Sequence, residues 1–189
     1  MKPVAAGCDE SNVNEDVKAL LKATNILATL GQINPYSFLH PIAPHIAARN
    51  SGVQINLDRI LESYNELASQ ADVVIVEGAG GFLVPLNETQ DISDLVEVLN
   101  IPVIVVVGMR LGCLNHALLT QQAIIARGLK FAGWVANVLE NNMPALNENI
   151  LTLQQKISAP LLGIVQHQSS ADPRIIANLI NLDLLEEEQ

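Results

Sequence analysis

The 189-residue chain is 49% hydrophobic and 16% charged with only 3% aromatic residues, so it can bury a substantial core built from Leu, Ile, Val and Ala. A net charge of −10 and a sequence pI of about 4.7 argue against a nucleic-acid surface or an anionic membrane as partner, so an anionic ligand must be held by local geometry. No apolar run approaches the roughly 20 residues of a membrane span, and Cys8 and Cys113 form neither a zinc pattern nor a disulfide framework, which points to a reducing cytoplasm.

In chain order, Lys2 to Gly7 reads as the tail of a strand and its turn. The spacing predicts a helix over 14–28, with Val17, Leu20, Leu21 and Thr24 on one face and Glu15 and Asp16 in an acidic first turn that suits the macrodipole. Asn34 to Pro44 carries three prolines and reads as extended loop. A short helix over 43–48 and a clearer one over 57–69, with Ile60, Leu61, Tyr64 and Leu67 inward, follow.

Val73-Val74-Ile75-Val76 does not alternate, and it predicts a central parallel strand buried on both faces. The run stops at Glu77, followed by Gly78-Ala79-Gly80-Gly81. Open α/β sheets bind ligands at the carboxyl ends of their strands. Glycines there let backbone N–H groups approach an anion, so the pattern points to a metal or phosphate site centred on Glu77.

Beyond it, Thr89 to Leu99 reads as helix and Val103 to Val107 as a second fully buried strand. Gly108 to Gly112 forms a turn, Leu114 to Arg127 a long helix with Gly128 as its stop, and Phe131 to Asn137 a third strand. Ala145 to Ile157 is helical, Leu161 to Val165 is a short strand, and a last helix follows the cap-and-proline pair Asp172-Pro173. Glu186-Glu187-Glu188 reads as a frayed, solvated end. Alternating strand and helix predict a doubly wound α/β fold, a mainly parallel sheet flanked by helices, in a single domain over 1–189.

Several site candidates also have plain structural readings. Asp16 suits helix-dipole compensation, Asn115 an N-cap and Asn137 a turn. The start of the long helix, Gly112, Cys113, Leu114 and Asn115, offers free N–H groups that suit a carboxylate. Cys113 has no activating base beyond nearby His116, which favours a packing or backbone role. The four histidines, His40, His45, His116 and His167, lack metal-ligand spacing.

Taken together, Lys2-Pro3-Val4-Ala5-Ala6-Gly7, Val76-Glu77-Gly78-Ala79-Gly80-Gly81 and Val107-Gly108-Met109-Arg110-Leu111-Gly112-Cys113-Leu114-Asn115-His116-Ala117 stand in the order of one family. With Asn34-Pro35-Tyr36, Pro44-His45 and Gly133-Trp134-Val135-Ala136-Asn137, the chain closely resembles the ATP-dependent dethiobiotin synthetases of biotin biosynthesis over nearly its whole length. The resemblance implies a P-loop NTPase-like fold and a cytoplasmic, homodimeric, Mg2+-dependent cyclo-ligase. Such an enzyme converts 7,8-diaminononanoate and CO2 into a carbamate, phosphorylates it with ATP, and closes the ureido ring of dethiobiotin with loss of phosphate.

Carried over residue by residue, the resemblance implies that Lys2 contacts the carbamate and the transferring phosphate, and that Asp16 and Glu77 bind magnesium. Asp16, Glu77, Gly78, Ala79, Gly80 and Asn137 then serve the nucleotide, Asn137 reading adenine. Gly112, Cys113, Leu114 and Asn115 hold the substrate carboxylate across a dimer interface. The sequence departs from the family in three places. No G-x-x-x-x-G-K-[ST] occurs in it, so the expected arrangement lacks the first strand–P-loop–helix unit, and activity of the 189-residue form depends on that unit. Ala6 stands where many members have serine, and Val165-Gln166 replaces a proline-containing stretch beside the nucleotide. The alternative these departures raise is a non-catalytic dimeric binding module degenerate for ATP chemistry.

Overall fold

A computed structural model describes residues 1–140, 142–168 and 172–185, with strands and helices interspersed along the chain. The acidic stretch Glu186–Glu188 lies outside the described residues. Two compact units divide the chain, Met1–Asn100 and Ile101–Gln189. Among the described residues the strands pair with one another in parallel, which with the helical crossovers makes this a doubly wound α/β fold.

In the first unit, β1 (Val4–Ala6) leads to α1 (Glu15–Ala23), the short α2 (Leu30–Ile33) and β2 (Tyr36–Phe38). β1 and β2 pair in register Val4 to Tyr36, Ala5 to Ser37 and Ala6 to Phe38. α3 (Pro44–Asn50), α4 (Leu57–Ala68) and α5 (Ile92–Leu99) complete the unit. Asn14 caps α1 by accepting from the Asp16 N–H, and Thr24 ends it by donating from N–H and hydroxyl to the Leu20 carbonyl. The helix therefore stops short of the predicted Ala28, and Leu27, expected within it, is 95% exposed. α4 matches its periodicity, with Ile60 and Leu67 buried and Leu61 and Tyr64 half-buried.

Two further expectations change here. β2 lies inside the stretch read as loop: its three residues are too few for a periodic signal, and prolines at 35 and 41 mask them. The helix predicted from Thr89 begins at Ile92, because Asp91 and Asp94 form a capping box and Thr89 instead bonds the Asn87 side chain.

The second unit is a β-α-β-α-β run of β3 (Val103–Met109), α6 (Cys113–Ala126), β4 (Phe131–Val138), α7 (Leu146–Lys156) and β5 (Leu161–Val165), with strand order β3-β4-β5. α8 (Pro173–Ala177) follows, capped by Asp172 with proline in its first turn. β4 is central and covered on both faces. Trp134, Ala136 and Val138 pack with Cys113, Ala117, Ile150 and Leu153, while Val135 packs with Leu162, Val165, Ile176 and Ile180. The buried cysteine at the start of α6 has the packing role its surroundings suggested.

Neither run of β-branched residues has the two-sided burial predicted for it. The central strand predicted over 73–76 does not form: the segment makes only one rung of parallel pairing, in which the Met1 ammonium donates to the Ile75 carbonyl (2.7 Å) and the Glu77 N–H to the Met1 carbonyl (2.9 Å). Val73 and Ile75 are 75% and 64% exposed. A strand buried on both faces needs covering layers above and below, and within this unit one face of the segment has none. β3 likewise leaves Ile104 and Val106 exposed at 41% and 63%: they share one face of the strand, while Val105, Val107 and Met109 on the other face pack in the core.

At Gly163 on β5 the chain passes so close to the tail that an added Cβ would lie 2.1 Å from the Leu179 carbonyl oxygen, whereas at Gly31 on α2 it would meet nothing within 4 Å. Gly163→Ala is expected to cost about 1–3 kcal/mol in urea denaturation, and Gly31→Ala to be neutral or slightly stabilising. Equal effects would show that the tail of 178–181 does not hold this position in solution.

Candidate functional site

The site grows from the backbone of Lys2. Its N–H donates to the Ile33 carbonyl (2.8 Å), and its own carbonyl accepts from the side-chain amide of Asn34 (2.7 Å). That same amide donates to the Tyr36 carbonyl (2.9 Å), so one buried asparagine ties the lead-in to β1 to the start of β2. A second asparagine fixes the neighbouring segment. Asn14 donates from Nδ2 to the Ala6 carbonyl (2.9 Å) and accepts from the Asp16 N–H (2.9 Å), pinning the first turn of α1 to the end of β1.

These restraints bring three predicted residues to one point. Lys2 Nζ lies 2.7 Å from Glu77 Oε1, 3.0 Å from Asp16 Oδ2 and 3.2 Å from the Gly78 carbonyl oxygen. The Lys2 side chain is 6% exposed, against 54% for Asp16 and 46% for Glu77. Desolvating an ammonium is expensive unless charge and hydrogen bonds compensate it. Here two carboxylates and a carbonyl do so while the carboxylates keep one side in water. Asp16 thus bonds through its side chain to Lys2 in addition to occupying the favourable first turn of its helix.

After Glu77, the glycine-rich segment turns through Gly80 at φ 85°, where a Cβ would lie 2.9 Å from Val84. Glycine is required there by conformation and by space together. The loop then closes through the Val84 N–H to the Gly81 carbonyl and the Ile92 N–H to the Val84 carbonyl. Gly78 and Ala79 precede this turn, next to the Lys2 ammonium that bonds Gly78.

The remaining candidates belong to the second unit. Gly112, at φ 92°, is the N-cap of α6, which corrects the reading of Asn115 as cap: Asn115 is the third helical residue and is exposed. A backbone turned to positive φ at 112 places the helix start there, with no capping side chain. The Cys113 N–H already donates to the Arg110 carbonyl and the His116 N–H to Gly112, leaving Leu114 and Asn115 as the first-turn N–H groups without an intrahelical acceptor by helix geometry. Asn137 lies within β4, not at its end, half-buried and flanked in register by Gly108 and Val165.

Asn14 and Asn34 were not singled out as site-building residues by the sequence. Their signal is an asparagine beside a strand end, which is common in turns, and only the folded chain shows both amides bonded across to backbone. Both cysteines are free and buried, and burial pushes the Cys8 thiol up from its ordinary value. Among the described residues no cluster of three or more His, Cys, Asp or Glu side chains forms a metal cage, and no helix is long and apolar enough to cross a membrane.

Comparison with known proteins gives a consistent result. The family described as an AAA domain matches residues 1–174. The ATP-dependent dethiobiotin synthetase BioD of Nitrosospira multiformis is 50% identical over 182 residues, covering 96% of this chain and 80% of that protein. That of Aromatoleum aromaticum is 50% identical over 185 residues, covering 96% and 82%. That of Pseudomonas aeruginosa is 45% identical over 185 residues, covering 96% and 81%.

The approach to α1 carries its own charge device. Asp9 accepts from the Ser11 N–H (2.9 Å), the Ser11 hydroxyl (2.6 Å) and the Val13 N–H (3.2 Å), and pairs with Lys18. The Lys18 ammonium, then Ser11 and Val13, hold its carboxyl far below the usual carboxylate range. A folded-state pKa below the unfolded value of about 3.9 gives a contribution that is complete above that pH and is lost as pH falls toward the folded value. Asp9→Asn should therefore flatten the fall in thermal midpoint between neutral pH and about pH 3. An identical acid limb in the variant would mean that the Asp9 loop is open in solution.

Proposed function

The chain belongs to the ATP-dependent dethiobiotin synthetase family, and from that premise we propose that it is an ATP- and Mg2+-dependent cyclo-ligase that forms the ureido ring of dethiobiotin from 7,8-diaminononanoate and CO2. Residues 1–189 act in this reading as one dethiobiotin synthetase-like domain. The observation that carries the proposal is the convergence of the Asp16 and Glu77 carboxylates on the Lys2 ammonium, all within 3.0 Å.

The donor set fits a hard divalent cation: two carboxylates and a carbonyl oxygen meet at one point, with the carboxylates open enough to water for the rest of a magnesium shell. Asp16 and Glu77 are the residues that would hold Mg2+, which supplies charge neutralisation on the transferring phosphoryl group. Lys2 contributes a compact, strongly charged ammonium suited to negative charge that shifts from carbamate oxygen to phosphate. Gly78, Ala79 and Gly80 offer backbone at the nucleotide without side-chain bulk at the two glycines. Asn137 presents an amide to adenine. Gly112, Cys113, Leu114 and Asn115 supply the positive end of α6 for the substrate carboxylate, in a homodimer whose sites use both subunits.

Phosphate release from ATP by the protein at the full length its gene encodes should require both diaminononanoate and bicarbonate. Glu77→Gln should weaken Mg-nucleotide binding by at least about tenfold, equivalent to ~1.4 kcal/mol. Release that is indifferent to the diamine, or unchanged magnesium dependence in the variant, would sink this assignment.

The shared site is tested by mixing. Glu77→Gln and Asn115→Asp each disable a different part, so after subunit exchange the mixed dimers should restore roughly a quarter of wild-type sites to soundness. Confirmed exchange without recovery would place the whole site in one chain.

A further inference from the structure

Lys2 Nζ has three N–H groups and three oxygens around it, those of Glu77, Asp16 and the Gly78 carbonyl, at 2.7, 3.0 and 3.2 Å. In this arrangement the ammonium donates to Glu77 and to the Gly78 carbonyl and is ion-paired with Asp16. It is held by the same oxygens that would bind the cation, and it sits at the point where they meet. The group carries one positive and two negative charges, so it remains attractive to a further cation. Among the described residues Lys2 is also the only charged side chain that is buried, and its backbone is fixed on both sides by Ile33 and Asn34. Only the side chain beyond Cα is at liberty to move.

We propose that Lys2 is a resident stand-in for the divalent cation. The entering ion takes Asp16 and Glu77 from the ammonium, and this exchange frees Nζ to meet the anionic substrate. The inference rests on the reading of Asp16 and Glu77 as metal-binding residues and adds a role that reading does not contain. Cation binding and activation of Lys2 become one event, so the lysine is held by its own carboxylates until the charge that must accompany ATP has arrived. The unaided pair Asp16 and Glu77 would repel each other across the same space, which the ammonium prevents.

The test uses Mn2+ alone as probe, followed by electron paramagnetic resonance, on wild type, Lys2→Met and Glu77→Gln, each checked for fold by circular dichroism. Lys2→Met should bind Mn2+ roughly tenfold or more tightly than wild type, because a like charge next to the ion has been removed. Glu77→Gln should lose the site. In unmutated protein, reductive methylation of Lys2, read by mass spectrometry, should be slow without Mn2+ and rise with it. That measurement stands even if Lys2→Met folds poorly. Mn2+ binding that depends on Glu77 but is no tighter in Lys2→Met, or that leaves Lys2 labelling unchanged, overturns the stand-in while sparing the metal reading. Mn2+ binding insensitive to Glu77→Gln overturns both.

Discussion

The first unit is organised by the requirement that one buried ammonium be neutralised. Around Lys2, at the head of β1, three distant pieces of chain meet at one point: the N-terminal residues, the first turn of α1 and the loop after residue 76. Each arrives by a backbone restraint that does not involve the charges themselves. Asn34 fixes Lys2, Asn14 fixes the turn bearing Asp16, and pairing with Met1 fixes Glu77. The electrostatics thus act on a preformed geometry, as an ion site requires if its oxygens are not to be reordered on binding. Breaking any one restraint leaves a buried charge short of a partner, which costs more than the lost hydrogen bond alone.

The balance of charge over the whole chain sharpens this point. A protein of net charge −10 has no general field to attract a nucleotide. Among the described residues the one buried cationic side chain, Lys2, is already matched by two carboxylates. A polyanion at such a surface calls for a mobile cation or backbone N–H groups, and among the described residues the glycine-rich turn at 78–81 and the first turn of α6 are two places that offer backbone.

Much of this arrangement was legible in the residues because the relevant signals are local. The carboxylate at the end of an apolar run, the glycines after it and the acidic first turn of α1 are all readable from spacing, and α4 and α6 follow from periodicity within a few residues at either end. The asparagine restraints were not legible, since an Asx side chain can bond its own turn as readily as a distant strand, and sequence does not choose between them. β2 was hidden by its flanking prolines and by its brevity. The start of α5 was misplaced because Asp91, read as part of the helix, is its cap. The family resemblance added roles for these residues but not the contact that joins three of them.

The β-branched runs separate what a sequence demands from what a fold supplies. Val73 to Val76 and Val103 to Val107 have the composition of strands covered above and below, yet Val73, Ile75, Ile104 and Val106 are exposed. In β4 the same demand is met: Trp134 and Ala136 lie under α6 and α7, and Val135 lies under the closing segment on the opposite face. The difference lies in position, not propensity. β4 has a hydrogen-bonded neighbour on each side, whereas β3 and the 73–76 segment each have one. An open edge with apolar side chains is a site of further strand pairing unless charge, proline or a bulge blunts it. β3 has a register shift between Val103 and Ile104 at its start, whereas the 73–76 run carries no charge or proline within it; an apolar run of this kind records a requirement for burial whose fulfilment depends on what lies beside it.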